Sequence, residues 1–180
     1  EFTVWLLPSE SERHTLVSII DEIADRYRLQ RFEPHVTVVS VLHTIGVSDL
    51  RQRIEDLSRR VGQVSFDVAG INWRDNYYSF LYLSLFTDSP LSEHALSVFP
   101  NGHVPPIGPH LSLAYSDRFE DIDRTAIAKE IAGRLPGRIV CTTLALVVPT
   151  EGTLAEVDKW MIDAVTDLTK PREDEQTGGE

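Results

Sequence analysis

A chain of 180 residues is long enough for one domain that buries about two thirds of its unfolded surface. A net charge of −11 with no clustered run of Lys or Arg argues against a groove for long nucleic acid, and no apolar run approaches the roughly 20 residues that cross a membrane. The single cysteine, Cys141, excludes an internal disulfide and a cysteine-based zinc site. We expect a cytoplasmic monomer without membrane contact.

The spacing of apolar residues divides the chain into short strands and helices. In chain order it predicts a strand over 3–8, a helix over 10–29, a strand carrying His35 and ending near 42, a helix from 48 or 49 to 61, strands over 64–73 and 79–87, a helix over 90–99, a strand over 110–116, a helix over 120–135, and strands over 138–148 and 156–167. A helix over 157–165 stays open as an alternative to the last strand. Together these elements predict an α+β fold.

One domain over residues 1–169 accounts for all the predicted elements. Residues 170–180 contain Pro, Gly, Gln and charged side chains, and this composition predicts a disordered C-terminal tail.

Two short segments repeat one pattern, one in each half of the chain. Pro34 is followed by His35-Val36-Thr37-Val38, and Pro109 is followed by His110-Leu111-Ser112-Leu113. In a strand, the His and the hydroxyl residue two positions later project to the same face. An imidazole exchanges protons near neutral pH, and a hydroxyl can bind a phosphoryl oxygen. Two such pairs facing one cleft could cleave a phosphate ester without a metal.

We call the two four-residue segments, His35–Val38 and His110–Leu113, the tetrads. Together they resemble the signature of the 2H (two-histidine) phosphoesterases. The string from Phe32 to Val38, with Val-Trp-Leu-Leu-Pro at 4–8, is similar to their cyclic phosphodiesterase branch. The likeness runs over residues 2–167, mostly in layout. It implies two pseudo-symmetric lobes, each an antiparallel sheet with helices on its outer face, and an active-site cleft at the seam.

The resemblance also implies roles for the four tetrad residues. His35 and His110 would act as general acid and base, and Thr37 and Ser112 would hold the phosphate. Which imidazole is the base stays open, although we favour His110. Neither a metal nor another cofactor is implied.

Three further residues are candidates for lining the pocket. Tyr115 matches an aromatic position of the cyclic phosphodiesterase branch, but its odd offset from Ser112 points it away from His110 unless the strand contains a bulge. Trp5 is similar in position to a family aromatic that stacks on a base, and core packing is the alternative. His103 lies in the Gly- and Pro-rich approach to His110, where an exposed loop position is the alternative.

The resemblance implies a hydrolase that opens ADP-ribose 1″,2″-cyclic phosphate to the 1″-phosphate, as in tRNA splicing, and nucleoside 2′,3′-cyclic phosphates to 2′-phosphates. The substrate would be a small anionic nucleotide. The alternatives are a 2′-5′ oligonucleotide phosphodiesterase, an RNA-end-processing enzyme of the same superfamily, and a non-catalytic nucleotide-binding module.

Overall fold

The computed structural model describes residues 2–42, 46–149 and 160–168, which form seven β-strands and four α-helices. In chain order they are β1 (Phe2–Pro8), α1 (Glu10–Tyr27), β2 (Val36–Val41), α2 (Val47–Val61), β3 (Val64–Asn72), β4 (Leu81–Phe86), α3 (Leu91–Val98), β5 (His110–Ala114), α4 (Arg124–Ile131), β6 (Arg138–Pro149) and β7 (Trp160–Asp167). Single-turn 3-10 helices precede β4 and follow α4.

The predicted order of elements is confirmed. Residues 160–167 form a strand, so the helical alternative for this segment is wrong there. The predicted start of that strand at 156–159 and the tail at 170–180 lie outside the described residues, and the domain boundary and the tail stay predictions.

All strand pairings are antiparallel, and six strands close into a ring. The order is β1-β2-β5-β4-β3-β6, and β6 returns to pair with β1. The length of β6 makes closure possible, because Arg138–Cys141 pairs with β3 while the following residues pair with β1 on one side and β7 on the other. The expectation of two lobes, each with its own sheet, is therefore corrected: one continuous barrel-like sheet runs through both halves of the chain.

Strand alternation gives the sheet two different faces. On β1, Val4 and Leu6 are completely buried in the main core, to which all four helices contribute. Leu16, Ile19, Ile20 and Ile23 recur at helical spacing and are the α1 residues of this core. Trp5 faces the opposite way and packs with Ala145 and Val147 in a second, smaller cluster. Functional side chains on the Trp5 face are therefore separated from the helices by the sheet.

None of the described helices is both long and apolar enough to cross a membrane.

Candidate active site

The two tetrads lie on neighbouring strands. Val36 of β2 pairs with Leu111 of β5 in antiparallel register. Continuing that register by one residue in each direction places His35 opposite Ser112 and Thr37 opposite His110. Each imidazole thus lies across from the hydroxyl residue of the other tetrad, and all four side chains share one face of the sheet.

Each imidazole is fixed by a backbone carbonyl two residues before it. Nδ1 of His35 lies 2.6 Å from the carbonyl oxygen of Glu33, and Nδ1 of His110 lies 3.0 Å from that of Gly108. A carbonyl can only accept, so each Nδ1 carries the proton and donates. The remaining nitrogen, Nε2, therefore has a free lone pair in both neutral rings, as a general base requires.

The segment before His35 is itself held in place. The carboxylate of Glu33 forms a two-point ion pair with the guanidinium of Arg13 on α1, and one of its contacts is 2.7 Å. The backbone of Glu33 thus presents its carbonyl to His35 from a braced position. Glu33 therefore has a structural role.

His35 is deeply buried among aromatic rings. It is 3% exposed, and its ring stacks on Trp5 with centroids 3.6 Å apart and planes 9° from parallel. Burial lowers the pKa of His35 to about 4, and repulsion from a charged His110 acts in the same direction, while the bond to the Glu33 carbonyl opposes the shift. His35 is therefore neutral at pH 7 in the free protein.

His110 is less buried than His35 and forms part of a cavity wall. Its ring meets Tyr82 edge to face, with centroids 5.5 Å apart. Burial also lowers the pKa of His110, although the bond to the Gly108 carbonyl opposes the shift. Of the two imidazoles, His110 is the one that a ligand in the cavity can reach directly.

Both tetrads contain a β-bulge directly after the hydroxyl residue. One step along β1, from Val4 to Trp5, corresponds to two steps along β2, which leaves Val38 as the extra residue. One step along β4 likewise corresponds to two along β5, which leaves Leu113 as the extra residue. The bulges change the alternation of side chains at the same position of each tetrad.

The bulge at Leu113 explains the position of Tyr115. This residue lies just beyond the end of β5, is 5% exposed, and still forms part of the cavity wall. Its hydroxyl oxygen lies 3.4 Å from Nε2 of His35. Regular alternation would have turned Tyr115 away from the tetrads, and the bulge brings it to their side.

The two hydroxyl residues have different surroundings. Thr37 is partly exposed and lines the cavity, and its hydroxyl has no hydrogen-bond partner among the described residues. Ser112 is 3% exposed, and its hydroxyl donates to the carbonyl oxygen of Tyr78 at 3.3 Å. Thr37 can bind a ligand directly, whereas Ser112 ties β5 to the connection between β3 and β4.

A cavity of about 420 Å³ opens on this face of the sheet. Besides His110, Thr37 and Tyr115, its wall includes groups that the tetrads did not indicate. These are Thr3 and Ser40 on neighbouring strands, Arg74, Asn76, Tyr78 and Ser79 between β3 and β4, residues 105–107 before β5, and Trp160 on β7.

Most of these additional groups come from distant parts of the chain. Between β3 and β4 the sequence indicates only a polar turn, and nothing local connects that turn to the tetrads. The Gly- and Pro-rich approach to His110 was the one local signal, and residues 105–107 of that segment do reach the wall.

Two of the predicted pocket residues have other positions. Trp5 does not line the cavity, because it lies under His35 and packs 5.3 Å from the Trp160 ring. His103 has an exposed side chain outside the cavity wall, and its backbone pairs with Ser40 through hydrogen bonds of 2.8 and 2.9 Å. The backbone of His103 thus joins the segment before β5 to β2. Trp5 stacks on the imidazole of His35 and not on the nucleobase of a ligand.

Within residues 2–42, 46–149 and 160–168, no three His, Cys, Asp or Glu side chains come together as a metal site.

Known proteins resemble this chain in sequence and in fold. No protein-family model matches it. It is 24% identical over 131 residues to a cyclic phosphodiesterase from Arabidopsis thaliana, which covers 71% of this chain and 72% of that protein. The crystal structure of LigT from E. coli in its apo form matches with a TM-score of 0.59 and 10% identity, over 94% of this chain and 97% of LigT. LigT complexed with NADP+ matches with a TM-score of 0.52 and 11% identity over the same shares. The predicted resemblance to the 2H phosphoesterases is confirmed.

Proposed function

We propose that this chain, which resembles the 2H phosphoesterases in fold and distantly in sequence, is a metal-independent cyclic phosphodiesterase. Its substrates would be ADP-ribose 1″,2″-cyclic phosphate, opened to the 1″-phosphate, and nucleoside 2′,3′-cyclic phosphates, opened to 2′-phosphates. The similarity to the cyclic phosphodiesterase of Arabidopsis thaliana supports the reaction class.

One observation carries the proposal. Two imidazoles lie on adjacent strands, and each donates from Nδ1 to a carbonyl and keeps the lone pair of Nε2. A binding module has no need for two proton-transfer groups fixed in the same tautomer. Hydrolysis of a cyclic diester needs a base for the attacking water and an acid for the leaving oxygen, and the pair supplies both.

The two imidazoles are sufficient for every proton transfer in the reaction. The base takes a proton from water while the water oxygen forms a bond to phosphorus. For a 2′,3′-cyclic substrate the bond between phosphorus and O3′ breaks, and the acid gives its proton to O3′. The products are a 2′-phosphate and a 3′-hydroxyl, and the proton on the former base returns to the other imidazole through solvent.

The surroundings of the imidazoles favour His35 as the base and His110 as the acid. A base must be neutral, and the more deeply buried His35 is the harder ring to protonate. An acid must carry a proton, and an anionic phosphate in the cavity would raise the pKa of the adjacent His110. This reverses the preference that the sequence suggested. His35 would exchange the Tyr115 hydroxyl for the attacking water.

Thr37 would bind a non-bridging oxygen, where negative charge grows in the transition state. Thr37 lies across from His110 in the register of β2 and β5, and its hydroxyl has no hydrogen-bond partner among the described residues, which supports this role. Ser112, whose hydroxyl is engaged with the carbonyl of Tyr78, would hold the phosphate only if that bond is exchanged.

A small nucleotide is the ligand class that we propose. The cavity of about 420 Å³ lies in the range of small-molecule sites. LigT, a protein of similar fold, has been solved in complex with NADP+.

The test is hydrolysis by EDTA-treated protein of three substrates: ADP-ribose 1″,2″-cyclic phosphate, adenosine 2′,3′-cyclic phosphate and a 2′-5′ oligoadenylate. Phosphorus NMR identifies the products. We expect 1″- and 2′-phosphates from the cyclic substrates, with unchanged rates in EDTA.

Other outcomes would contradict the proposal in distinct ways. Cleavage of the oligoadenylate alone would indicate the 2′-5′ phosphodiesterase alternative. Loss of activity in EDTA that zinc or magnesium restores would indicate a metal-dependent hydrolase. Absence of turnover with tight nucleotide binding would indicate a binding module.

A further inference from the structure

Arg74 is the one Lys or Arg among the described residues that line the cavity. It is exposed, it lies in the connection between β3 and β4, and its guanidinium has no ion-pair partner in the described part of the chain. In a protein with a net charge of −11, an anionic ligand meets repulsion from the overall field. A local cation at the cavity offsets that repulsion.

The neighbouring carboxylate does not neutralise Arg74. Asp75 is paired instead with Arg124, whose Nη2 lies 2.7 Å from its Oδ1. The guanidinium of Arg124 thus forms the ion pair with Asp75. The charge of Arg74 remains available to a ligand.

Arg124 also fixes the backbone that carries Arg74. Its side chain is only 12% exposed, and its guanidinium lies 5.1 Å from the ring centroid of Phe80 and 5.9 Å from that of Phe119. From this position Nη1 donates to the carbonyl oxygen of Arg74 at 3.0 Å. The backbone N–H of Arg74 donates to the carbonyl oxygen of Ser79 at 2.8 Å. Both backbone polar groups of Arg74 are therefore hydrogen-bonded, which fixes the turn.

The proposed reaction centre and Arg74 lie at different depths. His35 and Tyr115 are 3% and 5% exposed, whereas Arg74 and Asn76 are exposed at the opening. His110 and Arg74 belong to the same cavity wall, so a ligand whose cyclic phosphate lies at His110 can place another of its groups at Arg74. A planar guanidinium at that place suits a second phosphate, because its N–H groups can bind two phosphate oxygens at once.

We infer that Arg74, positioned by Arg124, binds a second phosphate of the substrate and makes the protein selective for cyclic phosphates that carry one. This inference rests on the proposed function and adds a specificity-determining residue to it. Among otherwise equal substrates, a nucleoside 2′,3′-cyclic phosphate with a 5′-phosphate is preferred over the same nucleoside without it.

The experiment compares kcat/KM for adenosine 2′,3′-cyclic phosphate with kcat/KM for its 5′-phosphorylated form. We expect the wild-type protein to prefer the 5′-phosphorylated substrate by about tenfold, as one charge-assisted contact provides. Arg74→Gln should abolish the preference, because kcat/KM for the 5′-phosphorylated substrate falls by about tenfold more than kcat/KM for the simpler substrate. Arg124→Gln should reduce the preference through KM, since it acts by positioning Arg74.

Arg60→Gln is the matched control, because it changes the net charge equally at a surface recess on α2. It should retain the full preference. No preference in the wild-type protein would overturn the inference. An equal loss on both substrates in Arg74→Gln would also overturn it and would assign Arg74 to the reacting phosphate.

A binding measurement separates failure of this inference from failure of the proposed function. If neither substrate is hydrolysed, calorimetry with adenosine 2′-phosphate and adenosine 2′,5′-bisphosphate replaces the kinetics. Stronger binding of the bisphosphate in the wild-type protein, lost in Arg74→Gln, would support the role of Arg74 without catalysis. Equal binding of the two would overturn it.

Discussion

The hydroxyl oxygen of Tyr115 lies 3.4 Å from Nε2 of His35, across the boundary between β5 and β2. Because Nδ1 of His35 donates to the Glu33 carbonyl, Nε2 can only accept, and Tyr115 must be the donor. Burial raises the pKa of Tyr115, so its phenol keeps the proton that this bond requires. The contact stabilises the neutral form of His35.

Tyr115→Phe should therefore raise the pKa of His35 from its value of about 4. The substitution keeps the ring and removes only the donor to the neutral imidazole. Proton NMR of the His35 Cε1–H signal against pH measures the change, with the exposed His14 as an internal control. An unchanged or lower pKa would show that the hydroxyl does not donate to Nε2.

Thr37→Val should lower kcat on a cyclic phosphate by about 10²- to 10³-fold, as loss of one transition-state donor does. The substitution keeps the shape of the side chain and removes a hydroxyl that has no partner in the described part of the protein. Thr37→Ser keeps the hydroxyl and is the matched control, with activity close to wild type. Rates within twofold for Thr37→Val would exclude a phosphate-binding role for this hydroxyl.

The plot of kcat/KM against pH should be bell-shaped, with its maximum on the acid side of neutral pH. The rate should rise with pH through about 4, where His35 loses its proton, and fall at a pKa below 6.5, since burial also lowers that of His110. The two limbs belong to the pair and do not assign base and acid. A profile centred above pH 8, or one flat from pH 4 to 8 with chemistry rate-limiting, would contradict these protonation states.

The order of elements was predictable because it depends on local patterns. Helical spacing in α1, alternation in β3 and the breaks at Pro136 and Gly137 each act within a few residues. The tetrads were found in the same way, because a His and a hydroxyl two residues apart share a face of a strand.

The remaining features depend on pairing between distant strands. Closure of the ring joins β1 to β6, whose residues are more than 130 positions apart, and no local signal predicts that pairing. The side of the sheet that Tyr115 faces depends on the bulge at Leu113, which exists only relative to the register of β4. Arg74 reaches the cavity for a similar reason, since its turn is held by Arg124 from α4.

Single-turnover hydrolysis of adenosine 2′,3′-cyclic phosphate by His35→Ala and His110→Ala measures whether both imidazoles transfer protons in the reaction. Each variant should lose about 10² to 10⁴ in rate, and the double variant should be little slower than the single ones, because the two groups act as a unit. His14→Ala, which removes an exposed imidazole on α1, should keep full activity. Circular dichroism and Tm establish that each variant is folded, and His35→Gln replaces the alanine variant if the buried site does not tolerate it. Near-complete activity in a folded variant of either His35 or His110 would show that hydrolysis does not depend on two imidazoles.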